Sequence, residues 1–407
     1  MYKKVLISIA LLFCSSSLLF SQWTALTSPT SSDLKGIYCS SDAICYAVGV
    51  SGKAYKTTNS GANWTIMSLG TTTNLHGIRF VGNSTGFILA GDAIYKTINA
   101  GAAWNKSYIY NYSETAGGFD MYGGLGVAAC ADETTPTVGP ARTVNSGSTW
   151  TSFGTFSSVF SNQALYGCDV VNATTVVMVG GNAGSNKNLF LSANGGQSWT
   201  DKSFVTGVLR AVHFGDANTG YAVGESGIVL KTTDGGQTWA KKIFPTNDNL
   251  YACWFISPTV GFVGTAGKIY KTIDGGTNWT VSATITGNKK IYSLYFPLSN
   301  VGYAVGEGGV AYRYYVNTTA IETELDTANW QIFPNPAQDE VHFSMTDFAS
   351  MGTDLHFSIW NHLGQKVKEL ALIQGEQTIS VADLPSGMYF VIVENDKKRM
   401  VKKLIKA

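Results

Sequence analysis

The residues best suited to chemistry lie in a nine-residue stretch that recurs six times: KTTNSGANW (56–64), KTINAGAAW (96–104), RTVNSGSTW (142–150), LSANGGQSW (191–199), KTTDGGQTW (231–239) and KTIDGGTNW (271–279). Each copy offers a hydroxyl, an Asn or Asp, a glycine turn and a tryptophan. A phosphate cradle would need the glycines to open a helix, whose first N–H groups hold the anion. Here they lead into strand-like sequence. A catalytic carboxylate would need an acid in every copy, yet Asn59, Asn99, Asn145 and Asn194 stand where Asp234 and Asp274 stand in the other two. An architectural role needs only a small acceptor that bonds the N–H groups of its own turn. The glycine supplies positive φ without a Cβ clash. Trp64, Trp104, Trp150, Trp199, Trp239 and Trp279 would then bury their rings between sheets and give their indole N–H an acceptor. Each stretch therefore reads as a staple on a hairpin.

The other titratable groups give no reaction centre. Glycoside hydrolysis needs two facing carboxylates; Asp120 and Asp169 are the candidates, and nothing in the sequence pairs them. Glu225 and Glu307 sit in equivalent Gly-Glu-x-Gly turns and read as turn residues. Cys and His show no zinc spacing. No catalytic residue, metal or cofactor is assigned.

The elements that carry the boxes repeat as well. LHGIRF, LYGCDV, LRAVHF, LYACWF and IYSLYF each open a unit. A turn, a strand such as GYAVG, a second turn and a strand such as IVLKT follow. Four short strands at a period near 40 residues make a propeller blade. Trp23 opens WTALTSPT with no unit before it, and Ile291–Tyr315 supplies three strands without a box. The two ends complete each other. The expected fold is all-β: a seven-bladed propeller over 22–315, whose last blade takes its fourth strand from the N-terminus, with insertions around ADETTPTVGP and GNAGSNKN. Such closure removes open sheet edges.

Aligned by unit, the first strand has a small third residue: Gly36, Gly77, Gly167, Ala211, Ala252 and Ser293. That suits crowding at the axis. Cys168 and Cys253 fall at an apolar fourth position and read as core. The variable second position holds Lys35, His76, Tyr166, Arg210, Tyr251 and Tyr292; the fifth holds Tyr38, Arg79, Asp169, His213, Trp254 and Tyr295. Symmetry makes each set a ring. Aromatic and basic side chains combine apolar area with polar tips, so the second-position ring is the candidate site for a protein or glycan ligand. Filling of the channel is the alternative, and the sequence does not say which ring meets an open rim.

Charged residues are only 14% of the 407, there are 45 glycines, and the net charge of +1 gives no case for nucleic acid. Lys3 and Lys4 before VLISIALLF mark a signal peptide over 1–21. Phe13 before Cys14 speaks against a lipid anchor, and no later segment is apolar enough to span a bilayer. Export allows disulfides. Of Cys39, Cys45, Cys130, Cys168 and Cys253, the first two flank SSDAI on facing strands, which permits a bridge without requiring one.

The repeat resembles the Asp-box, or BNR-like, propellers, and within them the photosystem II assembly-factor type, through blades such as GYAVGESGIVLKTTDGGQTW. The likeness covers about 23–315 and implies the fold. Propellers of this kind serve as enzymes, receptors and scaffolds. A sialidase would need an arginine triad, and the arginine motif expected near the first blade is missing. After a linker at 316–330, residues 331–407 read as a small Ig-like β-sandwich. Phe333-Pro334-Asn335-Pro336, NHLGQKV, LPSGMYFV and the Lys-rich end, with Lys397, Lys398, Arg399, Lys402, Lys403 and Lys406, resemble the type A C-terminal sorting domain of the Bacteroidetes type IX secretion system. That resemblance implies Sec export, engagement of the type IX machinery, and surface anchoring or release. The basic end reads as a solvated or translocon-facing surface. The expected function is non-catalytic binding or scaffolding at the cell surface or outside; the alternative is a secreted glycan hydrolase.

Overall fold

The computed structural model describes residues 21–407 except 92, 110–116, 130–139, 153–163, 183, 185, 317–329, 346–354, 362–365, 373–375 and 395–398. The leader with Cys14, Cys130, most of the first insertion, most of the linker, the centre of NHLGQKV, and Lys397 with Lys398 lie outside the described residues. The chain is all-β and divides into two compact units, one over Gln22–Tyr315 and one containing Val316–Ala407.

In the first unit the described strands form seven four-stranded antiparallel sheets. Their first strands are β1 (Leu34–Cys39), β2 (Leu75–Val81), β3 (Gly118–Tyr122), β4 (Leu165–Val170), β5 (Leu209–Phe214), β6 (Ala252–Phe255) and β7 (Ile291–Leu298). The second strands, such as Cys45–Gly49 and Gly220–Gly224, are buried throughout, as their continuous apolar runs require. The fourth strands are short, and Thr65–Ile66 and Thr200–Asp201 are exposed two-residue edges, which limits edge pairing with other chains.

The first strands approach until side chains no longer fit between them. A Cβ on Gly36 would lie 3.1 Å from Gly77 Cα, and one on Gly118 would lie 2.3 Å from the Cys168 nitrogen. Gly118 is thus the small residue of the third unit, which the sequence alignment lacked. Between β7 and β1, the Ile37 N–H donates to Ser293 Oγ at 3.3 Å. The last sheet therefore packs against the first.

Ser21–Ala25 is the fourth strand of the β7 sheet, beside Ala311–Val316. Trp23 meets Phe296 edge-on at 5.9 Å. Trp104 with Phe80, Trp239 with Phe214 and Trp279 with Phe255 repeat that contact at 6.1, 6.0 and 6.3 Å. Trp23 occupies the place a box tryptophan fills in other sheets.

The boxes bond as the sequence suggested. Thr232 Oγ1 donates to Asp234 Oδ1 at 2.8 Å and accepts the Gly236 N–H at 3.0 Å, while Asp234 Oδ1 accepts the Thr238 N–H at 2.9 Å. Asn59, Asn99, Asn145 and Asn194 each accept the equivalent N–H at 2.9 Å. Asn therefore serves as well as Asp. One expectation fails: Trp239 Nε1 donates to Gly236 O at 3.0 Å, but the indole nitrogens of Trp64, Trp104, Trp150 and Trp279 have no acceptor. Ring burial, not the indole hydrogen bond, is the constant part of the staple. Cys39 and Cys45 are direct cross-strand partners and form a disulfide, whereas Cys168 and Cys253 are buried thiols.

In the second unit, a three-stranded sheet (Trp330–Phe333, Glu340–Met345, Glu376–Ser380) and a four-stranded sheet ending in Arg399–Lys406 share one core. Trp330 and Phe343 from the first sheet and Phe357 and Val391 from the second lie in it. Asn335 fastens the Phe-Pro-Asn-Pro turn to the last strand: its Nδ2 donates to Lys403 O at 2.7 Å and its Oδ1 accepts the Ile405 N–H at 2.8 Å.

Replacing Trp23 with Ala should lower the unfolding free energy of the first unit by about 3–5 kcal/mol, read by urea denaturation. A variant as stable as the parent would show that the N-terminal strand does not staple the β7 sheet.

Candidate binding site at the mouth of the central channel

Five of the first strands carry a register shift at their second residue, between Leu34 and Gly36, Leu75 and Gly77, Leu165 and Gly167, Leu209 and Ala211, and Ile291 and Ser293. A β-bulge leaves one residue out of the ladder and re-aims its side chain. The bulged residues are Lys35, His76, Tyr166, Arg210 and Tyr292; Tyr251 immediately precedes β6. Strict alternation would put second and fifth residues on opposite faces of a strand. With the bulge, both positions line one channel.

All six second-position residues come together at one mouth, around an open cavity of about 520 Å3 that Gly117, Asn249 and Lys290 complete. Gly117 holds the second position of the third unit and brings no side chain to the wall. The rest of the wall alternates cations and rings. Arg210 lies over Tyr166 and Tyr251 at 4.8 and 6.0 Å, Lys290 over Tyr251 at 5.6 Å, and Lys35 over Tyr292 at 3.6 Å. Cation–π attraction holds such an arc in shape. Glu225 is more than a turn residue, because its carboxylate pairs with Arg210. Glu307 likewise accepts the Lys290 N–H at 3.2 Å, and Asp33 pairs with Lys35 at 3.0 Å. Burial, and next the charge of Lys35, pull the His76 pKa down to about 4. His76 is thus neutral near pH 7, and its Nε2 is buried without a partner among the described residues, as is Arg210 Nε.

The fifth-position residues form a belt deeper in the channel. Arg79 Nε donates to Asp120 Oδ1 at 2.8 Å, and Asp120 Oδ2 accepts the Val170 N–H at 2.9 Å. Asp169 Oδ2 accepts the Phe214 N–H at 2.6 Å, and His213 Nδ1 accepts the Phe255 N–H at 3.2 Å. Trp254, Tyr295 and Tyr38 continue the belt by ring contacts of 4.6 and 4.8 Å. Each link ties one sheet to the next.

The expectation that nothing pairs Asp120 and Asp169 is corrected here. Asp120 is the fifth residue of the third unit, so the fold sets its charge near Asp169. Burial, then the charge of Asp120, raise the Asp169 pKa well above the usual carboxylate range. Both acids are already engaged with backbone N–H groups.

The boxes lie with the first hairpin turns of their sheets, away from the mouth residues. Ser60, Gly235 and Gly275 N–H groups donate to Ala43, Asn218 and Thr259 carbonyls at 2.8–2.9 Å. The lysine that opens a box was missed as a working residue. Lys56 Nζ donates to Ala100 O at 2.9 Å, Lys96 to Ser146 O at 3.2 Å and Lys231 to Gly275 O at 3.2 Å, each reaching the next unit's box. Each also lies over a second-strand ring: Tyr46, Phe87 or Tyr221. The signal was present in the sequence. Where Leu191 replaces the lysine, its cross-strand partner is Val177 and not an aromatic residue.

Comparison with known proteins adds the following. Residues 331–407 match the secretion system C-terminal sorting domain family. No curated protein sequence matches the chain. Among solved structures, it is similar to YCF48 bound to a D1 peptide (17% identity, 73% of this chain and 98% of that one, TM-score 0.60). It is also similar to the GH74 xyloglucanase of Xanthomonas campestris (12%, 80% and 60%, 0.56) and to PorZ, a surface component of the type-IX secretion system of Porphyromonas gingivalis (14%, 90% and 58%, 0.53). At these identities the likeness shows the fold, an all-β propeller.

Burial, then the charge of Arg79, lower the His213 pKa to about 3, against about 6.5 in the unfolded chain. The unfolded state therefore binds a proton that the folded state refuses. This contribution is complete above pH 6.5 and is lost as pH falls toward 3. Asp169 acts in the opposite sense, since the folded form holds its proton above pH 3.8. His213→Gln keeps an acceptor for Phe255 but does not titrate. Its stability should fall less steeply from pH 6.5 to 4 than the parent's, by up to about 1.4 kcal/mol per pH unit; identical slopes would contradict a buried neutral His213. Residues 331–407 are thus a type IX C-terminal sorting domain, which marks this propeller-bearing chain for export to the cell surface or beyond.

Proposed function

We propose that the chain is a non-catalytic binding module of a Bacteroidetes cell surface: a signal peptide at 1–21, a seven-bladed propeller over 22–315, a linker, and an Ig-like sorting sandwich over 331–407. The observation that carries the binding role is the convergence of Lys35, His76, Tyr166, Arg210, Tyr251 and Tyr292 on one open mouth. Seven sheets whose ends are joined through Ser21–Ala25 support the seven-blade count. Two sheets over one core support the sandwich. A similar propeller carries a peptide and another is a xyloglucanase, so the fold accommodates either use. Hydrolysis is the weaker reading, because Asp120 and Asp169 are both engaged in the belt, with Arg79 and the Val170 N–H and with the Phe214 N–H. The sorting domain acts as an address for the type IX machinery.

Replacing Tyr251, Tyr292 and Arg210 together with Ala should abolish capture of a ligand from a cell-surface extract while the propeller stays folded by circular dichroism. Undiminished capture would place the site elsewhere. Deleting 331–407 should leave the propeller in the periplasm; surface display of that truncation, read by protease shaving, would overturn the address.

A further inference from the structure

Among the described residues, the mouth holds two polar atoms without a partner in a wall where two of three cations are paired with carboxylates. Lys35 pairs with Asp33 and Arg210 with Glu225, while Glu307 accepts the backbone N–H of Lys290, whose ammonium lies over the Tyr251 ring. An anionic polymer or acidic peptide would find two of the three cations already paired and one ammonium to bind. An apolar peptide side chain would find no aliphatic pocket, because the described residues around the cavity are aromatic, basic, amide or glycine. What the wall does offer is three tyrosine faces, fixed in orientation by the cations, and the buried unpartnered His76 Nε2 and Arg210 Nε. Unlike the orphan indole nitrogens of the boxes, these two atoms belong to residues that line an open cavity, where a ligand can supply the partner. His76 is half-buried as a residue, with its Nε2 atom inside the wall. A hydroxyl both donates and accepts, so it can serve the Arg210 N–H and the imidazole nitrogen alike. The cavity size suits a ligand of a few rings.

We propose that the mouth binds a neutral oligosaccharide, its rings stacked on Tyr251, Tyr292 or Tyr166 and its hydroxyls bonded to His76 and Arg210. This rests on the binding-module reading.

The test is isothermal titration of the intact chain with neutral hexasaccharides of β-1,4-linked glucose, mannose and xylose. Oligogalacturonate and a glutamate-rich peptide serve as charged comparators. At least one neutral hexasaccharide should bind, with an affinity that changes less than about twofold between 50 and 500 mM NaCl, since no net charge is screened. Tyr251→Ala and Tyr292→Ala should each weaken it about tenfold or more, and Tyr292→Phe, which keeps the ring, should weaken it less. Binding confined to the charged comparators and lost in salt would overturn the proposal, as would neutral binding indifferent to both alanine substitutions. If no hexasaccharide binds while the mouth still captures material from the surface extract, the sugar assignment fails and the binding module stands. If neither occurs, both fail.

Discussion

The bulge at the second residue of the first strands is the constraint from which the site follows. Below it, a small third residue lets neighbouring strands come within backbone contact, as at Gly36 against Gly77 and Gly118 against Cys168. That approach fixes the register of each sheet against the next and makes the channel narrow. Regular alternation alone would then give the channel one usable row of side chains. The bulge supplies a second row at the rim, and that row can vary because the ladder does not depend on it.

The two rows have different duties for a physical reason. Fifth-position groups are deep, so their polar atoms must find partners inside the protein. They find them across sheet boundaries: Asp120 on β4, Asp169 on β5, His213 on β6. The belt is assembled from residues that elsewhere would suggest acid–base chemistry. Second-position groups lie at the mouth and retain polar atoms without protein partners, at His76 and Arg210. Stability concentrates in the belt, the tryptophan staples and the lysine ties, and recognition is left to the rim.

Much of this was legible in the sequence because the chain repeats. Six boxes fixed the third and fourth strands, and the displaced Trp23 showed where the ends join. The second- and fifth-position sets came from alignment alone, and the structure brings each set together. What escaped was non-periodic or long-range. The third unit reads GGFDMY, without the leucine that opens most other units, so Gly118 and Asp120 were not placed in their rows. The pairing of Arg79 with Asp120 spans 41 residues, and no local pattern announces it. The box lysines drew no reading of their own, because their carbonyl partners lie on the next unit's box. The Cys39–Cys45 bridge was permitted by facing positions, and only the fold shows it formed.

Hydrogen–deuterium exchange on the propeller, with and without captured ligand, tests most directly whether recognition belongs to the rim and architecture to the boxes. Slowed exchange confined to the rim segments around Glu225–Gly227, Tyr251, Lys290 and Glu307–Gly309 is the expected result. Slowed exchange at the box turns around Asn59, Asp234 and Asp274, with the rim unchanged, would contradict it.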